Sequence, residues 1–128
     1  MLKRPAFSVH NRLRSFGFAI CGLKHFVASE HNAWVHLGGT LVVVLAASFF
    51  GLSSSEWLWI ILAIGWVWMG EAFNTAIERL ADVVTLDRDP RIAVVKDVAA
   101  AGVLISSVGA ALIGSIIFLP HLVSALDL

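Results

Sequence analysis

Between Gly70 and Asp97 the sequence reads GEAFNTAIERLAD and later KD, gathering carboxylates, an amide and a lysine. On a helix turning about 100° per residue, Glu71, Asn74, Glu78 and Asp82 are separated by offsets of three, seven and eleven from the first. They therefore share one stripe. Such a row can accept a proton, hold a hard cation or line a cation path. It is also costly in lipid unless a cation, a partner helix or water meets it. Something positive is expected there.

Each residue also has a reading without chemistry. Glu78 and Asp82 would simply be solvated if the helix leaves a membrane at that level. Glu71 resists this reading, because it directly follows the apolar run WLWIILAIGWVWM from Trp57 to Met69, where a carboxylate is placed as a general base would be. Lys96 and Asp97 read as the opening of a last helix, with the lysine snorkelling to the interface and the aspartate at the positive helix end. Glu30 closes an earlier helix and by itself is an exposed helix end. The histidines His10, His25, His31, His36 and His121 contain no pair at the i, i+4 spacing of a helical zinc site, and an oxygen-rich stripe suits magnesium better. Trp66 and Trp68 read as lipid-facing or packing residues. The lone Cys21 permits no internal disulfide. Neither a GxxxxGK[ST] phosphate loop nor a GxSxG nucleophile motif is present.

The elements that carry these residues are membrane elements. Of 128 residues, 59% are hydrophobic and 14% charged. With a mean hydropathy of +0.87, this is more apolar surface than a core this small can hide. The formal net charge is zero, which gives no global field for nucleic acid. After a basic tail with Lys3, Arg4 and Pro5, residues 8–29 place Val9, Leu13, Phe16, Ile20, Leu23 and Val27 at spacings of four and three. That pattern predicts an amphipathic surface helix. A signal peptide is rejected, because Lys24 interrupts the short run FGFAICGL and Ile20 is bulky where cleavage needs a small residue.

Three spans follow, at about 34–52, 56–81 and 97–119. The residues Gly51 to Ser55 break the first, Asp87-Arg88-Asp89-Pro90 forms a loop after the second, and Pro120 ends the third. Lys3, Arg4, Arg12, Arg14 and Lys24 precede the first span, and Arg79, Arg88, Arg91 and Lys96 lie between the second and third. This segregation places the N-terminus and the acidic stripe in the cytoplasm. The whole chain, 1–128, reads as one all-α integral-membrane domain. The residues alone lead to a cytoplasm-facing cluster suited to Mg²⁺ between acids and a polyphosphate, with Lys96 on phosphate and Glu71 as base. They suit a non-enzymatic ion- or drug-transport subunit equally.

The segment EAFNTAIERLAD at 71–82, followed by KDVAAAGVL at 96–104, closely resembles the signature of the bacterial membrane diacylglycerol kinase and undecaprenol kinase family. The stretch SFGFAICGLKHFVASEHNAWVH at 15–36 is similar to that family's surface helix and its E-x-N-x-x-x-H segment, so the likeness runs from Ser15 into the third span. The resemblance implies a homotrimeric lipid kinase of the inner (cytoplasmic) membrane. It would move the γ-phosphate of Mg·ATP to a lipid hydroxyl, undecaprenol or diacylglycerol, at sites shared between subunits. Position by position, it implies Glu71 as the base with Asn74 beside it and Glu30 and Glu78 as metal-holding and nucleotide-side carboxylates. Lys96 would steady the phosphates, Asp97 lie on the nucleotide side, and Asp82 close the helix motif. Its E-x-N-x-x-x-H and N-T-A-I-E forms look more like the undecaprenol branch. The sequence departs from the family at Asp89 and Ala93, where relatives often carry histidine and a lysine or glycine, and at Trp34, where many carry arginine.

Overall fold

A computed structural model of the chain describes residues 8–126, in which the regular elements are helices: α1 (Val9–Ser29), α2 (His31–Phe49), α3 (Ser54–Val84) and α4 (Pro90–Ala125). The basic tail with Lys3, Arg4 and Pro5 lies outside the described residues. By length and composition α2, α3 and α4 can each cross a membrane, with mean hydropathies of 1.5, 1.4 and 2.3. Ile105 and Ile116 on α4 are 73% and 74% exposed. In water such surfaces would oppose folding, and in lipid they are at home.

The helix ends show where local chemistry shifts the boundaries expected from hydropathy. Glu30 is a single extended residue that caps α1 at its end and α2 at its start, so the helix that carries the first span begins at His31, ahead of residue 34. It ends at Phe49, and Gly51 turns the chain with φ 64°, a left-handed conformation that suits glycine. Leu52 then folds back into the protein and is buried beside Ala47, Ile60 and Ile117. Ser53 and Glu56 cap each other reciprocally, with the Ser53 backbone N–H donating to Glu56 Oε2 at 2.8 Å. The helix that carries the second span therefore starts at Ser54 and runs on to Val84, past both ends of the 56–81 segment.

The last helix corrects the sequence reading most. Pro90 occupies its first turn, where a missing N–H costs nothing, and Asp89 caps it by accepting the Arg91 backbone N–H at 2.8 Å. The helix therefore starts well before residue 97. Lys96 and Asp97 lie about two turns inside it, and the place near the positive helix end that was assigned to Asp97 belongs to Asp89. Pro120 does not end the helix, which continues to Ala125. Only one carbonyl near the helix end loses its donor there, a loss that a well-packed helix tolerates.

The fold is a hairpin of α3 and α4, the pair in most extensive contact, with α2 on α3 and α1 folded back beside them. Small residues let the two long helices close: a Cβ on Gly70 would stand 2.9 Å from Ser106 Oγ. At the end away from the acidic stripe, Phe50, Trp57 and Phe118 pack on the buried cluster. His121 Nε2 also meets Glu56 Oε1 there at 2.9 Å. Near the other end, Trp68 Nε1 donates to Thr40 Oγ1 at 2.9 Å, tying α3 to α2. The ring of the buried Phe26 on α1 meets Trp68 edge-on at 6.0 Å. At 31 residues α3 is about 46 Å long, against a hydrocarbon core of about 30 Å. Its apolar run, Trp57 to Met69, occupies the first part of the helix, and the stripe lies beyond it.

Candidate functional site

The stripe on α3 is graded in burial. Glu71 is 2% exposed and Asn74 7%, Glu78 is half-buried, and Asp82 is exposed. Glu71 faces α2, where His36 Nε2 lies 3.9 Å from its Oε2. Asn74 donates through Nδ2 to Glu78 Oε1 at 3.1 Å, the i, i+4 contact expected on one helix face. Its other polar atom, Oδ1, is buried with no hydrogen-bond partner. An acceptor in that state forfeits about 1–3 kcal/mol, so the position favours a ligand that brings a donor.

Asn74 also lines a groove between α3 and α4 with Met69, Phe73, Val94, Val98 and Gly102, a largely apolar trough of about 520 Å³. Glu71 is not part of that lining; it points to the α2 side of the same helix. Gly70 and Gly102 are among its lining residues.

Further along, Lys96 Nζ reaches across from α4 to Asp82 Oδ1 at 2.6 Å. Both residues line a cup of about 420 Å³ at the α3–α4 turn, together with Arg88, Asp89 and Ala93. The structure thus brings the two divergent loop positions, Asp89 and Ala93, to the same place as Lys96. Asp89 forms a bidentate pair with Arg91, at 3.1 Å to Nε and 2.7 Å to Nη2. That side-chain pairing, helped by the Arg91 backbone N–H, holds its carboxyl below the ordinary aspartate range. Asp97 is exposed on α4, and Trp34 is exposed on α2.

Glu30, at the α1–α2 junction, is met by Arg79 of α3. The guanidinium donates to Glu30 Oε1 from Nη2 at 2.6 Å and from Nε at 3.2 Å. It also donates to Ser29 Oγ and contacts His25 Nε2. Sequence reasoning found none of the partners Arg79, His25 and His36. Glu30 and Arg79 are 49 residues apart, and nothing local in either segment points to the other. His36 had one signal, its place in the E-x-N-x-x-x-H segment.

Among the described residues no group of three or more His, Cys, Asp or Glu side chains converges on a point that could hold a metal ion. The acids stand instead as separate carboxylates. Glu30 and Glu78 each have one oxygen engaged, by Arg79 and by Asn74 respectively. That donor set fits Mg²⁺, which is commonly bound by one or two carboxylates with the remaining positions filled by substrate phosphates and water. It does not fit a closed all-protein cage.

A family profile described as prokaryotic diacylglycerol kinase matches residues 17–118. An undecaprenol kinase of Bacillus subtilis (strain 168) is 35% identical over 109 residues, covering 85% of this chain and 89% of that protein. A diacylglycerol kinase of Synechocystis sp. is 30% identical over 125 residues, covering 96% of this chain and 71% of that protein.

Proposed function

The chain belongs to the prokaryotic diacylglycerol kinase family, a family of membrane lipid kinases, and from that premise we propose that it transfers the γ-phosphate of Mg·ATP to the hydroxyl of an undecaprenol-type lipid. The single observation that carries the reading is the pairing of a buried acid with a buried, unpartnered amide oxygen one turn away, Glu71 and Asn74. A proton acceptor shielded from water is what an incoming hydroxyl requires, and the amide oxygen beside it is open to one further donor from the substrate. The preference for a prenol over diacylglycerol rests on the form of the E-x-N-x-x-x-H and N-T-A-I-E segments, and the undecaprenol kinase relative supports it.

In this scheme Glu71 takes the proton of the lipid hydroxyl as its oxygen forms a bond to the γ-phosphorus. The bond from that phosphorus to the β-γ bridging oxygen breaks, and ADP leaves. Asn74 orients Glu78 through Nδ2 and offers Oδ1 to the substrate. Glu30 and Glu78 would hold Mg²⁺, which when bound neutralises charge on the phosphates. Lys96 exchanges Asp82 for phosphate oxygens, and Asp97 lies on the nucleotide side. The α3–α4 groove, apolar and open to the bilayer, suits a lipid chain.

The assembly is a homotrimer with sites shared between subunits. An apolar cleft bounded by α2, α3 and α4, lined by Val35, Gly39, Val43, Ala110 and Gly114, offers a seat for a neighbouring helix. The whole of 1–128 acts as one domain, with α1 lying on the inner (cytoplasmic) membrane surface. Arg12, Arg14 and Lys24 point to anionic headgroups there. The N-terminus and the acidic end of α3 are cytoplasmic, in keeping with the placement of the basic residues. The test is direct: purified protein in lipid, labelled ATP, and a panel of prenols and diacylglycerols. Labelled phosphate should appear in the prenol fraction with Mg²⁺ present. Folded protein that labels no lipid on the panel would overturn the proposal, and preferential labelling of diacylglycerol would overturn the substrate assignment alone.

A further inference from the structure

Arg79 is an unusual surface arginine. It is solvent-accessible, yet its guanidinium contacts three side chains at once: Glu30 through Nε and Nη2, Ser29 Oγ through Nη2, and His25 Nε2 through Nη1. All three belong to the last turn of α1 and the residue that follows it, while Arg79 stands on α3 directly after Glu78. Four of the five N–H groups of a guanidinium are committed in this arrangement. Because its donors are shared among three side chains of one segment, the guanidinium is built as a clamp between α3 and the α1–α2 junction.

What it clamps is selective. The recorded hydrogen bonds to Glu30 all fall on Oε1. Glu78 is treated the same way, since Asn74 holds its Oε1. Both carboxylates are therefore fixed through one oxygen by a neighbour on α3, with the second oxygen left for another ligand. The surroundings place the same demand on Arg79. α1 otherwise meets α3 through Phe26 against Trp68, and beside that contact a cleft of about 420 Å³ separates the two helices over Ala72, Thr75 and Ala76, which offers little to fix a side-chain orientation.

We propose that Arg79 is the positioning residue for Glu30: it locks α1 to α3 and aims the free carboxylate oxygen of Glu30 at the divalent cation that accompanies the nucleotide. The inference rests on the reading of Glu30 as a metal ligand. Groups that orient a ligand in this way typically contribute tenfold to a hundredfold in metal affinity. The fork is essential, because a lysine keeps the charge but cannot reach Glu30, Ser29 and His25 together.

Arg79→Lys therefore separates positioning from electrostatics. Mn²⁺ binding to the lipid-reconstituted full chain, with a non-hydrolysable ATP analogue present, is read by electron paramagnetic resonance. Arg79→Lys should weaken it roughly tenfold, and Glu30→Gln should weaken it as well. Adding Arg79→Lys to Glu30→Gln should produce no further loss. In turnover assays Arg79→Lys should raise the Mg²⁺ requirement by a similar factor, with kcat at saturating Mg²⁺ within about threefold of the parent. If Arg79→Lys binds Mn²⁺ as the parent does while Glu30→Gln is impaired, Arg79 has no positioning role and the metal reading survives. If Glu30→Gln itself binds normally, the metal reading of Glu30 fails and takes this inference with it. Should Arg79→Lys give no monodisperse protein, Ser29→Ala, which removes one acceptor of the clamp, takes its place with a weakening of roughly threefold. Unchanged binding in Ser29→Ala would likewise overturn the clamp.

Discussion

Replacing Glu71 by glutamine removes a proton acceptor while keeping volume, and the structure shows why the change should be confined to chemistry. Glu71 is 2% exposed, and its recorded polar neighbour is His36 at 3.9 Å, beyond hydrogen-bond reach. An isosteric amide therefore breaks no close contact and leaves α2 and α3 packed as before. The nucleotide side is assigned to other residues, Glu30, Glu78 and Lys96, so Mg·ATP affinity should hold within about threefold. Turnover should not. Removal of a positioned acid–base group costs about 10²–10⁴ in rate, equivalent to about 2.7–5.4 kcal/mol in the barrier. The assay is transfer of labelled phosphate to a prenol in reconstituted vesicles at saturating lipid and Mg·ATP, with nucleotide binding measured in parallel by equilibrium dialysis. A Glu71→Gln enzyme within threefold of the parent in kcat would refute the assignment. Preserved turnover with lost nucleotide affinity would move Glu71 to the metal site.

Glu30→Gln and Glu78→Gln should each raise the Mg²⁺ concentration for half-maximal activity by about tenfold or more, and normal Mg²⁺ titrations for both would show that the ligands are elsewhere. Gly70→Ala forces a Cβ to within 2.9 Å of Ser106 Oγ. It should destabilise the α3–α4 hairpin by about 1–3 kcal/mol, seen as an earlier tryptophan-fluorescence transition in detergent, and Ser106→Ala should recover part of the loss. Glu56→Ala, which removes the capping box and the His121 contact far from the acidic stripe, should cost about 0.5–2 kcal/mol of stability with kcat unchanged. A fall in kcat at full folding would show that the two ends are coupled. Asn74→Leu should lower activity by leaving Glu78 unheld, and a variant with parental Mg²⁺ dependence would deny Asn74 that role.

Much of the architecture was legible in one dimension because it depends on local quantities. Spans follow from runs of apolar residues, and the stripe at Glu71, Asn74, Glu78 and Asp82 follows from the helical period, which the structure keeps as a gradient from buried to exposed. Helix ends depart from the hydropathy boundaries where capping decides. Ser53 with Glu56, and Asp89 with Pro90, carried the start signals that moved α3 and α4 to Ser54 and Pro90. Pro120 does not stop α4, because a proline stops a helix only where packing does not compensate for one lost hydrogen bond.

By itself, then, the sequence determined the membrane class, the helical elements, the face of α3 that carries the acids and, through its motif, the family. The tertiary structure alone decided which group meets which: Arg79 with Glu30, Lys96 with Asp82, His36 with Glu71, and Gly70 against Ser106. The physical reason is that periodicity sets the angle of a side chain about its own helix axis, whereas a contact also needs the rotation, offset and separation of a second helix. Those are set by the packing of all the helices together, down to the absence of a single Cβ at Gly70, and no segment of the chain encodes them alone.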